Sequence, residues 1–378
     1  MYFDHAATTP MHPLAIEEMA KVMADNFGNP SSIHSYGRHA HAKLSEARQK
    51  IAQTLGVAAS EIIFTSGGTE GDNTAIIGCA WANQDKGKHI ITTAIEHPAV
   101  LESMHFLEAQ GFEVTYLPVD HEGMLDVEEV KSALREDTIL VSIMFANNET
   151  GNLLPIAEIG ALLADHPAIF HTDAVQAYGK VFIEPKALGV DLLSISAHKI
   201  NGPKGVGFLY KDTKVKLASY LHGGEQEEKR RAGTENLPAI CAMAKMATYH
   251  HQALLQAEQL PYQEWTEYLV AKLEQEKVDF KINGQLTSKL PHVLNLSFPG
   301  VDNQLLLMRL DLKHMAISTG SACTAGNVHP SHVLTAMYGK DSAYIRSGIR
   351  LSFGYGNTFE QIQAFTEELL AILHQLQA

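Results

Sequence analysis

The side chains able to do chemistry in this sequence fall where apolar runs end. AIFHTDAVQ stops being apolar at Asp173, with Gln176 three residues on; LLSISAHK runs into Ser196, His198 and Lys199; TTAIEH reaches His97; and EIIFTSGGTEG passes through Gly67 and Gly68 to Thr69. Taken singly, each has a plainer use. Asp173 can cap a helix, Lys199 can be a solvated charge, His97 is one of 20 histidines, and glycine-rich turns are often only turns. Taken together they offer a phosphate cradle at a helix start, an amine in a glycine-bearing turn that can form an imine, an acid and a histidine. That set is what pyridoxal 5'-phosphate requires, the acid keeping a proton on the pyridine nitrogen so that the ring can draw electrons. No GK[ST] follows the glycine pair, which disfavours a nucleotide loop.

A thiol adds to the set. STGSACTAGN, residues 318–327, surrounds Cys323 with small side chains that bury little apolar area. A core-filling role therefore fails for Cys323, and a loop is expected. Cys79, in GTEGDNTAIIGCAWA, and Cys241, in LPAICAMAKMA, lie among apolar residues at helical spacing and read as core. Three cysteines without CxxC spacing argue against a disulfide framework or a zinc site.

The elements that must position these groups follow from periodicity. EIIFT, HIITT, FEVTYL, TILVSIMF, AIFHTD, LLSIS and VGFLY are short runs rich in β-branched and aromatic residues, and helical patterns lie between several of them. One is AKLSEARQKIAQTLG, with Leu44, Ala47, Ile51 and Leu55 on one face; another is DVEEVKSAL, with Asp126 and Glu129 as a capping box. Alternation of this kind predicts crossover units on a mostly parallel sheet, whose ligands bind beyond the carboxyl ends of the strands. After about residue 250 the pattern becomes one long helix over 251–275, then VLNLSF, the helix QLLLMRL, IRLSF and a closing helix, which predicts a second, smaller α+β domain.

The 378 residues carry 29 basic and 43 acidic side chains, a formal charge of −14. This disfavours direct nucleic-acid binding and an anionic membrane as partners. The start MYFDHAATTP lacks a basic and apolar leader, no apolar run reaches membrane-spanning length, and the expected compartment is a reducing cytoplasm.

In order along the chain come FDHAATTP, FGNPSSIH, FTSGGTEGDN, EHPAV, NNETG, HTDAVQ, SAHKINGPKG, RAGTEN, STGSACT and IRLSFG. With these motifs the sequence resembles the cysteine desulfurases of the NifS/IscS type, members of the class V aminotransferase family of fold-type I pyridoxal-phosphate enzymes. The resemblance implies a large α/β domain over 14–250 with a mostly parallel sheet flanked by helices. It implies a small domain from 1–13 and 251–378 that carries the cysteine loop. Lys199 matches the Schiff-base lysine, Asp173 the pyridinium partner and His97 the stacked imidazole that assists proton transfer. Gly68, Thr69, Ser196 and His198 match the phosphate cradle, joined by Thr234 from the neighbouring subunit of a homodimer. Asn148 and Gln176 match polar contacts to the ring, with Asn148 also facing substrate, and Arg350 matches the clamp for the substrate carboxylate. Cys323 matches the nucleophile that takes sulfur from L-cysteine as a persulfide, leaving alanine.

The implied partner is a sulfur-acceptor protein, either an iron–sulfur scaffold or a transfer-RNA thiolation enzyme. The closing helix ends at Ala378 without the extension by which some members dock a scaffold. The alternatives are selenocysteine lysis or aminotransfer in the same family, or a silent protein that only binds a sulfur carrier.

Overall fold

The computed structural model describes residues 1–257, 260–319 and 330–377. Seven strands, β1 (Ile62–Thr65), β2 (His89–Thr93), β3 (Glu113–Leu117), β4 (Thr138–Ser142), β5 (Ile169–Asp173), β6 (Leu192–Ser196) and β7 (Gly207–Lys211), form one sheet in the order β1-β7-β6-β5-β4-β2-β3. All neighbours pair in parallel except β7, which runs against both β1 and β6. β2, β4 and β6 are buried along their whole length. Strands covered on both faces read as continuous apolar runs, and this is why the sheet was legible.

Helices cover that sheet. They are α1 (Pro13–Asp25), α2 (Ser35–Thr54), α3 (Gly68–Asn83), α4 (Pro98–Ala109), α5 (Val127–Ala133), α6 (Ile156–Leu162) and α7 (Leu237–Leu255). Leu44, Ala47 and Ile51 are buried on α2 as their spacing predicts, while Leu55 is its buried C-cap. Asp126 caps α5 by accepting from the Glu128 N–H at 2.9 Å. Cys79 on α3 and Cys241 on α7 are buried thiols, as expected, and burial pushes their pKa values up to about 12 and about 11.

The remaining helices are α8 (Tyr262–Gln275), α9 (Asn303–Asp311), α10 (His332–Tyr338) and α11 (Phe359–Gln377), and β8 (Lys281–Asn283), β9 (Val293–Ser297) and β10 (Gly348–Ser352) form a three-stranded antiparallel sheet. The helix expected over 251–275 is two: α7 stops at Leu255 and α8 begins at Tyr262, directly after Pro261. Proline is favoured at a helix start and cannot continue one from within, so the period ran through a break.

A second hydrophobic cluster packs on the small sheet, and it contains Phe3 beside Trp265, Phe353 and Phe365. The chain start belongs there: Tyr2 bridges to Ala316 and Asp4 to Ser352. A few residues further, the Thr9 N–H and hydroxyl both donate to the His198 carbonyl, at 3.0 and 2.7 Å, and the His12 N–H donates to that of Asn201. The first dozen residues therefore form a strap from the small sheet to the carboxyl end of the large one. No described helix is long and apolar enough to cross a membrane.

Candidate active site

The strand ends bring the expected groups together. β1 ends at Thr65, Gly67 takes φ 151°, open to glycine, and α3 starts at Gly68. A Cβ on Gly68 would stand 2.8 Å from Val175 Cγ2, so only glycine lets this turn approach the segment after β5. The first N–H groups of α3 have no partner within the helix and face an anion by default. Gly68 and Thr69 line a cavity of about 410 Å³ with Ser196, His198 and, from the strap, Ala7 and Thr8. His198 Nδ1 lies 3.1 Å from Thr8 Oγ1, and burial with nearby lysines holds its pKa down to about 4. The ring is neutral and can donate one hydrogen bond.

Lys199 closes a one-turn 3-10 helix at Ala197–Lys199 immediately after β6. Its Nζ donates to the Ala7 carbonyl at 2.8 Å and to that of Ala6. Asp173, the last residue of β5, is buried and accepts from the Val175 N–H at 2.9 Å, so it caps its own turn as well as facing the site. Burial raises its pKa, against His97 and Lys199, which pull it down. His97 is the N-cap of α4, its Nδ1 accepting from the Ala99 N–H at 3.1 Å. The neutral ring therefore carries its proton on Nε2. Burial lowers the His97 pKa, with Asp173 opposing and Lys199 reinforcing.

Asp72 was not anticipated. It lies on α3 within the quoted FTSGGTEGDN, one turn past Gly68, and is buried. One ligand-type atom each from Asp72, His97 and Asp173 lies within 4.8 Å of the others. Burial and the Asp173 charge raise the Asp72 carboxyl well above its usual range. Asp4, also missed, comes with the strap. Arg350, in the middle of β10 and buried, donates from Nη2 to Asp4 Oδ1 and from Nη1 to the Asn148 carbonyl, both at 2.8 Å. The motif FDHAATTP was visible, but no spacing rule connects it to residues hundreds of positions away.

Gln176 Nε2 donates to the Ala6 carbonyl at 3.0 Å, which fixes the amide beside the strap. Gln176 Oε1, Asn148 Oδ1, Asp72 Oδ1 and Arg350 Nε are buried without a hydrogen-bond partner. Buried polar atoms left in this way are costly unless a polar molecule meets them. Together with the cradle, which a Cβ on Gly68 would crowd, they fit a phosphorylated, polar heteroaromatic group. Thr234 stands apart: it is exposed in the stretch before α7, while Arg231, three residues earlier, holds Glu70 of α3 at 2.8 Å. Cys323 lies outside the described residues.

The model of the family "Aminotransferase class-V" matches residues 1–365. The chain belongs to the class V aminotransferases, and its cofactor is pyridoxal 5'-phosphate. Within that family it is of the IscS/NifS cysteine desulfurase type. It is 51% identical over 376 residues to the IscS 1 protein of Bacillus subtilis (strain 168), spanning all of this chain and 99% of that one. It is 46% identical to the cysteine desulfurase IscS of Methanosarcina thermophila, over all of this chain and 92% of the relative. Among solved structures, a NifS-like protein superposes with a TM-score of 0.92 at 36% identity, with 99% of each chain covered. The structure of SspA in complex with cysteine superposes at 0.81 with 35% identity, over 93% of this chain and 98% of that one.

Proposed function

We propose that Lys199, His97 and Cys323 carry the reaction of this chain, in a site held by Asp173, Gln176, Asn148 and the Gly68–Thr69–Ser196–His198 cradle. The reaction is that of a cysteine desulfurase: L-cysteine becomes L-alanine and its sulfur is retained as a persulfide. When bound, the cofactor supplies an aldehyde for an amine and a ring that withdraws electrons from the substrate Cα. The observation that carries the assignment is the convergence at one sheet edge of cradle, acid, amine and histidine, with buried polar atoms of Gln176, Asn148 and Arg350 left without protein partners.

Each residue then has a defined task. The cradle N–H groups, the Thr69 and Ser196 hydroxyls and neutral His198 bind the phosphate. Asp173 holds a proton on the pyridine nitrogen. Lys199 Nζ offers the amine and afterwards moves protons at the substrate carbons. His97, with its proton on Nε2, exchanges protons on the other side of the site. Arg350 takes the substrate carboxylate with Asn148 beside it. The Cys323 thiolate attacks the substrate sulfur; the carbon–sulfur bond breaks, the carbon takes a proton to become the alanine methyl, and Cys323 carries the extra sulfur. The small residues flanking it leave room for the persulfide to reach an acceptor protein.

We further assign a homodimer in which Thr234 reaches the partner's cradle; its exposure and the anchoring of its segment by Arg231–Glu70 support this reading. An iron–sulfur scaffold or a transfer-RNA thiolation enzyme in the cytoplasm is the acceptor we favour. The test is Cys323→Ser. The variant keeps the yellow colour and the fold, and it no longer accumulates alanine or bound sulfur. Mass spectrometry of the native protein after cysteine treatment, without reductant, places added sulfur on the Cys323 peptide. Sulfur on Cys79 or Cys241, or full alanine production by the variant, overturns the assignment.

A further inference from the structure

Lys180 ends the stretch HTDAVQAYGK, seven residues past Asp173. Its Nζ donates to the carbonyls of Gln176 at 3.1 Å and of Lys199 at 3.3 Å. These carbonyls belong to different segments. One follows directly on Asp173, the last residue of β5, and carries Gln176; the other follows β6 and carries Lys199. A single side chain thus joins the acid-bearing segment to the amine-bearing one. It does so from the wall of a second cavity, of about 680 Å³, which Lys180 lines with Lys199, His5, His250 and His292.

Two hydrogen bonds to carbonyls could come from a neutral donor, so the charge needs its own account. The titratable groups whose charges bear on Lys180, or on which it bears, are Lys199, His5, His198, His250 and His292. Burial drives the imidazoles toward their neutral forms, His5, His198 and His250 to about 4 and His292 well below its usual value. Burial and the Lys199 charge pull Lys180 down to about 7. Asp173 and His97 also bear on Lys199, and burial pushes both toward their neutral forms. Part of the Lys180 drop comes from the Lys199 charge itself, so Lys180 holds its proton more readily once Lys199 has none, and in that state it presents a like charge to Lys199.

We propose that Lys180 is a positioning residue whose ammonium ties the Gln176 and Lys199 main chains together and, as a like charge beside Lys199, favours the unprotonated amine that can attack a carbonyl. This rests on the reading of Lys199 as the cofactor-binding amine, and the two readings fail differently. If borohydride does not fix pyridoxal phosphate on Lys199 in the native protein, the Lys199 reading falls first. The test of Lys180 takes native protein in which that fixation succeeds.

Lys180→Met removes charge and donors, Lys180→Gln removes charge and keeps donors, and Lys180→Arg keeps both. The readouts are the pH midpoint of the visible band of the loaded protein, the rate at which the apoprotein captures added pyridoxal phosphate, and the apoprotein melting temperature. The Met and Gln variants raise the midpoint by about one pH unit, since removing a nearby like charge favours the protonated nitrogen. The Met variant also captures cofactor roughly tenfold more slowly, because the segments lose their tie. The Arg variant restores the native midpoint. If Met fails to fold, Gln carries the charge test alone. Unchanged midpoints in the Met and Gln variants, whether or not melting temperatures fall, leave Lys180 with a merely structural role and overturn the proposal.

Discussion

On the seven-stranded sheet the candidate site residues stand at or past strand ends, at Asp173, Ser196 and Lys199, whereas on the three-stranded sheet the candidate Arg350 is the third of five residues in β10, paired with Asn295 on one side and Ser318 on the other. The electrical state differs as well. The large sheet gathers Asp72, Asp173 and Glu96, buried acids whose pKa values all rise. The small sheet offers a cation already answered by Asp4 and a carbonyl. The first region gathers buried acids that a bound group must answer; in the second, both Nη atoms of the arginine are held while its Nε is left without a partner, so the cation is part-satisfied and must share its fork with an incoming carboxylate.

The strongest way to break this contrast is Asp173→Ala. If the large-sheet acids serve the bound ring, turnover falls by roughly two orders of magnitude or more while cofactor affinity, anchored at the phosphate, falls by about tenfold at most. Steady-state kinetics and a cofactor titration check both. Native turnover in the variant would remove Asp173 from the site.

Arg350→Lys is gentler. It keeps the charge and loses the fork, so kcat/KM for cysteine drops by roughly one to two orders of magnitude, the loss of a charge-assisted bond worth ~1.5–3 kcal/mol. Unchanged efficiency would assign the carboxylate elsewhere and leave the Arg350–Asp4 pair as a joint between strap and sheet.

Glu96→Gln sharpens the electrostatic half of the comparison. Glu96 accepts from the Thr93 hydroxyl at 2.7 Å and the Met144 N–H at 3.0 Å, and burial pushes its pKa up to about 8. An acid raised in the folded state contributes stability fully present below its unfolded value, near 4.5, and lost as pH rises through about 8. The amide imitates the protonated acid and cannot ionise. In denaturant titrations the variant matches the native protein near pH 5 and exceeds it by up to a few kcal/mol at pH 9, because each tenfold difference in proton affinity between folded and unfolded chain is worth ~1.4 kcal/mol. Parallel curves across that range would show that Glu96 is ionised when folded.

The same contrast decides what was readable in the sequence. Asp173, Ser196, His198 and Lys199 could be picked out as candidates because buried parallel strands are apolar runs with sharp ends, and the end is where ligands bind. Arg350 had no such marker: an arginine inside IRLSF could sit at a strand edge, and only the resemblance singled it out as a carboxylate clamp, while its pairing with Asp4, 346 positions away, has no trace in the spacing. Asp72 and Lys180 were hidden for a related reason, since the groups packed about them, His171 for Asp72 and Lys199, His250 and His292 for Lys180, are distant in the sequence. β8 spans only Lys281–Asn283, the first two residues incompletely buried, too short and too polar for a period of two to register. The break between α7 and α8 was missed because apolar spacing on both sides continues in phase closely enough to look like one helix.

The strap has a consequence in time. The large sheet needs nothing beyond Lys211 for its strands, so on a growing chain its ladder can close early. Ala6 and Ala7, whose carbonyls receive Lys199, are placed by pairing of Tyr2 with Ala316 and Asp4 with Ser352. Closing loops of more than 300 residues costs entropy that grows with the logarithm of their length, and it waits for β10 to be synthesised. Residues 2–7 are therefore placed later than the sheet that follows them, and the lysine keeps its finished surroundings only once residues 316–352 have left the ribosome.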